Sequence, residues 1–163
     1  MQQAERCQRK FQIGFYEGAC PLKCNKCLAF GTETKEKKKI SKMTIENARN
    51  LIDEIAGISS NAVIQPHIYA EPFANPDLKQ IIQYCGEKRL AMSIITNGIL
   101  LDNTWLDFLL EQYEQKITIS FSLDAVTQEV YEKVRGKYEL KQIEDNIMYL
   151  LDNRRKKNLR IGV

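Results

Sequence analysis

The stretches Ala91-Met-Ser-Ile-Ile-Thr96 and Ile117-Thr-Ile-Ser-Phe-Ser-Leu123 decide how this chain folds. Both are short and rich in β-branched residues, and they read as buried strands. Between them Leu106, Leu109, Leu110 and Tyr113 recur at helical spacing, which predicts an amphipathic helix. A strand, a helix-length connection and a second strand make a parallel pair, because only a crossover returns the chain in the same direction.

The same alternation extends outward in both directions. Toward the N-terminus, Phe11–Tyr16 and Ala62–Ala70 read as two further strands. The helix between them places Ile45, Ala48, Ile52 and Ile55 on one face, with Thr44 as its N-cap. Before Ala91 comes a second stripe of Leu78, Ile81, Ile82 and Cys85, opened by Asn75 as cap and Pro76 as first helical residue. Toward the C-terminus, Ile143, Ile147, Leu150 and Leu151 form the last stripe, and Leu159–Val163 starts a fifth strand. The expected fold is therefore α/β: a parallel-sheet (β/α) partial barrel of about four βα units plus the start of a fifth strand. Residues 1–163 read as one domain, the leading part of a longer barrel. In such barrels the chemistry lies at the C-terminal ends of the strands.

Composition excludes several classes. With 44% hydrophobic and 28% charged residues the chain is an ordinary globular mixture, and a net charge of +3 marks no nucleic-acid partner. The basic runs Lys35–Lys39 and Arg154–Lys157 read as solvated loop or helix-end residues. No apolar stretch is long enough to span a membrane, and the polar start Met1–Lys10 is no signal peptide, so the expectation is a cytoplasmic protein with reduced thiols.

Directly after the first expected strand stands Cys20-Pro-Leu-Lys-Cys24-Asn-Lys-Cys27, a C-x3-C-x2-C spacing. Thiolates converging from one short loop suit an iron–sulfur cluster. Three ligands rather than four leave one iron open to a small molecule, whereas a structural zinc site lacks its fourth ligand here. The structureless stretch from Cys20 to about Lys42 is too long for a mere connector. Of the remaining cysteines, Cys85 reads as core and Cys7 has no chemical role. His67, beside Pro66 and within the second expected strand, reads as a satisfied or solvated histidine at a bulge or edge.

These motifs resemble the radical S-adenosylmethionine (SAM) enzymes. Beyond the cysteine loop, Ala70-Glu71-Pro72 resembles the family's Gly-Gly-Glu-Pro and Thr96-Asn97-Gly98 its Thr-Asn-Gly. Ser122-Leu123-Asp124 with Arg135-Gly136 resembles the Ser-Leu-Asp and Arg-Gly pair. The stretches Glu71–Leu101 and Ser120–Leu151 are most similar to the subgroup carrying a C-terminal SPASM or twitch extension.

The resemblance implies a [4Fe–4S] cluster on Cys20, Cys24 and Cys27, with SAM chelating the open iron. One electron then cleaves the sulfonium to a 5′-deoxyadenosyl radical that abstracts hydrogen from a substrate such as a peptide, nucleoside or sugar derivative. It also implies a reducing partner such as flavodoxin or ferredoxin. SAM would meet the backbone of Tyr69 and Ala70, the Glu71 carboxylate, Thr96, Asn97 and the Ser122 hydroxyl. Its adenine would lie near Lys26, where the family carries an aromatic residue, or Phe30. Asp124 would cap a turn or orient a neighbour. The competing readings are an electron-transfer or cluster-carrying protein that needs no SAM, and a zinc-binding interaction module.

Overall fold

The computed structural model describes residues 8–25, 27–31, 39–112, 114–136, 138–154 and 158–163. Cys7, Lys26, Tyr113 and parts of both basic runs lie outside the described residues. Strand β1 runs Lys10–Gln12, β2 Tyr16–Glu17 and β3 Ser41–Lys42, followed by helix α1 (Ile45–Ile58) and β4 (Val63–Gln65). After a 3-10 turn at Pro72–Ala74 come α2 (Leu78–Glu87), β5 (Ala91–Thr96), α3 (Asn103–Glu111) and β6 (Ile117–Phe121). The chain continues through α4 (Gln128–Arg135), α5 (Leu140–Asn153) and β7 (Leu159–Gly162).

Five strands form one sheet in the order β1-β4-β5-β6-β7, and every pairing among them is parallel. This is the partial barrel that the alternation implies. The register sets Gln12 beside Gln65 and Thr96 beside Phe121, so the strand ends meet along one edge. Along β5, Met92, Ile94 and Thr96 are buried while Ala91, Ser93 and Ile95 are half-buried or exposed, as the two-residue period of a strand requires. Met92 and Ile94 join Ile52, Ile55, Ile81, Leu106, Leu109, Ile143 and Leu150 in one core between sheet and helices. The helical stripes thus pack on one face of the sheet, and the other face carries the small and polar residues Ser93, Thr118 and Ser120.

Four expectations need correction. The first strand stops at Gln12, and the chain bends at Phe15, whose side chain enters the core at 1% exposure. Tyr16 therefore does not end a sheet strand; it pairs with Lys42 in a separate two-stranded antiparallel ribbon, β2–β3. The second expected strand is only Val63–Gln65, since Pro66 has no N–H to continue a ladder; His67 accordingly lies past the strand end and not within it. The N-cap of α2 is Asp77, not Asn75, and Pro76 precedes the helix instead of opening it. Asn75 closes the preceding 3-10 turn and accepts the Asp77 N–H on its side chain at 3.0 Å. Finally α4, which has no counterpart in the sequence reading, fills the segment after β6. Thr44 does cap α1, accepting from the Asn47 N–H at 3.2 Å.

Candidate active site

The strand ends open into a cleft of about 770 Å³. Its walls include Cys20, Cys24 and Cys27 of the loop after β2, together with Phe30. Tyr69, Ala70 and Glu71 follow β4, Thr96 and Asn97 end β5, and Ser122 follows β6. Every described residue that the sequence assigned to a cluster or to SAM is thus brought to one cavity. Gln12 at the end of β1, and not Tyr16, completes the row of strand ends.

Glu71 organises the floor. It is 3% exposed, and its Oε1 accepts from the Thr96 hydroxyl at 2.6 Å and the Phe73 N–H at 3.3 Å. Its Oε2 accepts from the Asn97 N–H at 2.9 Å. A carboxylate has about four acceptor sites, so one remains open. Burial pushes the Glu71 carboxyl up to about 6, and these three hydrogen bonds hold it from rising further. The segment that presents Glu71 is itself held by Glu17 of β2, whose carboxylate accepts from the Ile68 and Tyr69 N–H groups at 3.0 and 3.1 Å. The Glu71 N–H donates to the Ala19 carbonyl at 2.9 Å, one residue from Cys20.

The strand-end turn Thr96-Asn97-Gly98 is equally determined. The Thr96 hydroxyl accepts from the Gly98 N–H at 2.9 Å, and Asn97 Oδ1 accepts from the Ile99 N–H at 3.0 Å. The Ser122 N–H donates to the Thr96 carbonyl at 2.8 Å, which extends the β5–β6 ladder. Among the described residues the Ser122 hydroxyl has no hydrogen-bond partner, so both its donor and its acceptor capacity face the cleft.

Each of the three loop sulfurs meets a donor. Cys20 Sγ receives Asn97 Nδ2 at 3.6 Å, Cys24 Sγ receives Arg135 Nη1 at 3.6 Å, and Cys27 Sγ receives the Phe30 N–H at 3.3 Å. Thiolates in an iron–sulfur cluster are stabilised by this kind of N–H···S contact. Among the described residues no three cysteine, histidine or acidic side chains converge on a point as ligands of a lone ion do. Three thiols that line one cleft and each meet an N–H donor fit a cluster that takes one thiolate on each of three irons. Without metal, burial pushes the Cys20 thiol up to about 11, so loading a metal must release its proton.

Other residues stand outside the expected cluster and SAM contacts. His67 is 6% exposed and its Nδ1 has no partner, so it is neither solvated nor satisfied as expected. Burial, reinforced by the charge of Lys10, holds its imidazole down at about 4 and therefore neutral. Asp124 adopts a left-handed backbone, φ 58°, and pairs with Arg135, consistent with a residue that orients its neighbour. Cys85 lies fully buried in the core as expected.

Fold and site together define a parallel α/β partial barrel that carries a thiol-bearing loop above the C-terminal ends of its strands. The chain belongs to the Radical SAM superfamily, whose sequence profile matches residues 18–163; that superfamily works with a [4Fe–4S] cluster and SAM. It is 34% identical over 125 residues to the antilisterial bacteriocin subtilosin biosynthesis protein AlbA of Bacillus subtilis (strain 168), covering 72% of this chain and 25% of AlbA. It is 27% identical over 117 residues to the AdoMet-dependent heme synthase of Methanosarcina barkeri (strain Fusaro / DSM 804), covering 72% of this chain and 32% of that protein. The crystal structure of Streptococcus suis SuiB bound to the precursor peptide SuiA superposes with a TM-score of 0.74 at 17% identity. That match covers 94% of this chain and 32% of SuiB. SuiB bound to S-adenosylmethionine superposes with a TM-score of 0.73, covering 94% and 33%. The chain spans a quarter to a third of the length of these proteins. AlbA and SuiB are of the SPASM/twitch type that the motifs resemble. Among the described residues no helix is long and apolar enough to cross a membrane.

Proposed function

We propose that this chain is the cluster- and SAM-binding part of a radical SAM enzyme that modifies a peptide. Cys20, Cys24 and Cys27 hold three irons of a [4Fe–4S] cluster and leave the fourth to SAM. One observation carries this reading: the three cysteines and all described residues expected on SAM line a single cleft at the strand ends. When bound, the cluster and SAM supply one-electron cleavage of the sulfonium and a 5′-deoxyadenosyl radical for hydrogen abstraction.

The chain's own residues bind and orient. Glu71 offers its remaining acceptor site to the SAM ammonium, and the Tyr69–Ala70 backbone lies beside it. The Ser122 hydroxyl, unengaged within the described residues, is available to a ribose. Thr96 and Asn97 act by fixing Glu71 and Cys20, and Phe30 offers its ring to the adenine. Lys26 lies outside the described residues, and its backbone or side chain is proposed near the adenine on sequence grounds alone. A peptide substrate is supported by what AlbA makes and by the peptide that SuiB binds, together with a sheet face of small and polar residues beside the cleft. The thiols suit a reducing cytoplasm, and a flavodoxin or ferredoxin would deliver the electron.

Anaerobic reconstitution tests this directly. The chain should take up about four irons and four sulfides, and Cys24→Ala should not, whereas Cys85→Ala should. Added SAM should change the electron paramagnetic resonance (EPR) spectrum of the reduced cluster. A full cluster in Cys24→Ala sinks the ligand assignment, and a spectrum indifferent to millimolar SAM favours a plain electron carrier.

A further inference from the structure

We propose that Arg135 sets the reduction potential of the cluster through the sulfur of Cys24, and that Asp124 opposes it. This rests on the cluster ligation proposed above. It concerns a residue that no motif spacing connects to the cysteine loop, since Arg135 and Cys24 are 111 positions apart.

The contact is part of a built junction. The last turn of α4 lies against the cysteine loop, where Asn25 donates from its side chain to the Lys133 carbonyl at 2.8 Å and from its backbone to the Val134 carbonyl at 3.3 Å. These helix-end carbonyls would otherwise lack partners. Beyond the helix, the Tyr138 hydroxyl donates to the Pro21 carbonyl at 3.1 Å. The loop is thereby held on both sides of Cys24, and Arg135 is delivered between them.

The guanidinium is divided between two partners. Nη1 donates to Cys24 Sγ at 3.6 Å, a distance suited to the large sulfur atom, and Nη2 pairs with Asp124. The Arg135 side chain is only 14% exposed, while that of Asp124 is 55% exposed. An ordinary surface ion pair would leave both groups in water and involve no thiol. Here the cation is withdrawn from solvent against a sulfur proposed to ligate iron. Its Nε is buried with no partner, so the guanidinium is not fully compensated.

Reducing a [4Fe–4S]²⁺ cluster by one electron adds negative charge to the irons and their thiolates. A nearby cation and an N–H···S bond stabilise the reduced form and raise the potential. A nearby anion lowers it. The two residues therefore pull in opposite directions, and a role in packing alone would not produce that pattern.

The test is a dithionite titration of the reconstituted chain, followed by the EPR signal of the reduced cluster and run without SAM. Arg135→Gln should leave the iron and sulfide content at the wild-type value. It should lower the reduction equilibrium constant about tenfold, a shift of about 59 mV. Arg135→Lys should fall between the two. Asp124→Asn should raise the potential, and asparagine tolerates the left-handed backbone at that position. Arg135→Gln at the wild-type potential, or both variants shifting in the same direction, overturns the proposal. If Arg135→Gln fails to load, Asp124→Asn decides alone, and a potential unchanged or lowered there overturns it. A wild-type chain that binds no cluster would instead overturn the ligation, and with it everything built on it.

Discussion

The Thr96 hydroxyl donates to Glu71 Oε1 over 2.6 Å in a fully buried pair that joins the end of β5 to the segment after β4. The same oxygen of Thr96 accepts from the Gly98 N–H, so one hydroxyl fixes both a carboxylate and a turn. Two motifs separated by 25 positions are thus one structural unit.

That unit predicts a pH-dependent cost for Thr96→Val. Valine has the same shape but leaves the buried carboxylate one donor short, worth about 1.5–3 kcal/mol for a charged partner. The Glu71 carboxyl is raised to about 6 in the folded chain against 4.5 ordinarily, chiefly by burial. A raised acid contributes stability that is present below pH 4.5 and lost as pH rises through 6, about 2 kcal/mol in all. Thr96→Val should therefore destabilise the metal-free chain strongly at pH 8 and much less at pH 4.5. Urea unfolding at the two pH values checks this, and an equal loss at both would refute it.

His67 predicts the opposite slope. Its imidazole is held at about 4 against 6.5 ordinarily, by burial first and the Lys10 charge second. A depressed base contributes stability that is present above pH 6.5 and lost as pH falls through 4, up to about 3 kcal/mol. Between pH 4.5 and 6 this opposes the Glu71 effect, so the wild-type profile there should be shallow. His67→Gln removes the histidine contribution, and its stability should rise on acidification from pH 6.5 to 4.5. A variant profile parallel to wild type would contradict the assignment.

What the sequence disclosed was local. The strand end at Thr96 and the helical stripes depend on near neighbours and are found as expected among the described residues, whereas the strand expected to run to Leu123 stops at Phe121. The cysteine spacing is equally local, and its three thiols line the cleft. The split of the first strand was hidden because Phe11–Tyr16 is apolar but for Gln12, and only the bend at Phe15 shows that this side chain belongs to the core. Helix α4 was hidden for the converse reason: Tyr131 is its one buried residue, so no apolar stripe announces it. Its signals are at the ends, with Thr127 capping the Val130 N–H, Glu129 in the first turn and Gly136 closing it. The Arg135–Cys24 and Glu17–Tyr69 contacts depend on loop paths, which periodicity does not encode.

Two glycines predict effects of opposite sign. Gly98 has φ 78°, and a Cβ there would come within 2.9 Å of Ile143 Cγ2 and 3.0 Å of the Phe121 ring. Gly98→Ala combines backbone strain with overpacking, and a loss of about 2–4 kcal/mol is expected. Gly57 lies in α1 with nothing within 4 Å of its Cβ position, so Gly57→Ala should gain about 0.5–1 kcal/mol. Thermal unfolding of both variants beside wild type settles the signs, and a stabilised Gly98→Ala would show that the strand-end turn is not held as described.

The last prediction separates SAM binding from cluster binding at Ser122. Its backbone N–H is committed to the Thr96 carbonyl, while its hydroxyl faces the cleft with no partner among the described residues. Ser122→Ala therefore removes no contact that the metal-free fold depends on, and unfolding stability should stay within about 0.5 kcal/mol of wild type. None of the three loop sulfurs is bonded to Ser122, so iron and sulfide content after reconstitution should be unchanged. A single neutral hydrogen bond is worth about 0.5–1.5 kcal/mol, so SAM affinity should fall roughly 2- to 12-fold. Titrating SAM against the EPR signal of the reduced cluster measures that affinity directly. Glu71→Gln, which keeps the shape of the side chain but removes its charge, should weaken SAM further than Ser122→Ala, because a hydrogen bond to an ammonium gains from ionisation. Equal SAM affinity in wild type and Ser122→Ala would move the ribose away from β6 and leave Glu71 as the anchor of the site.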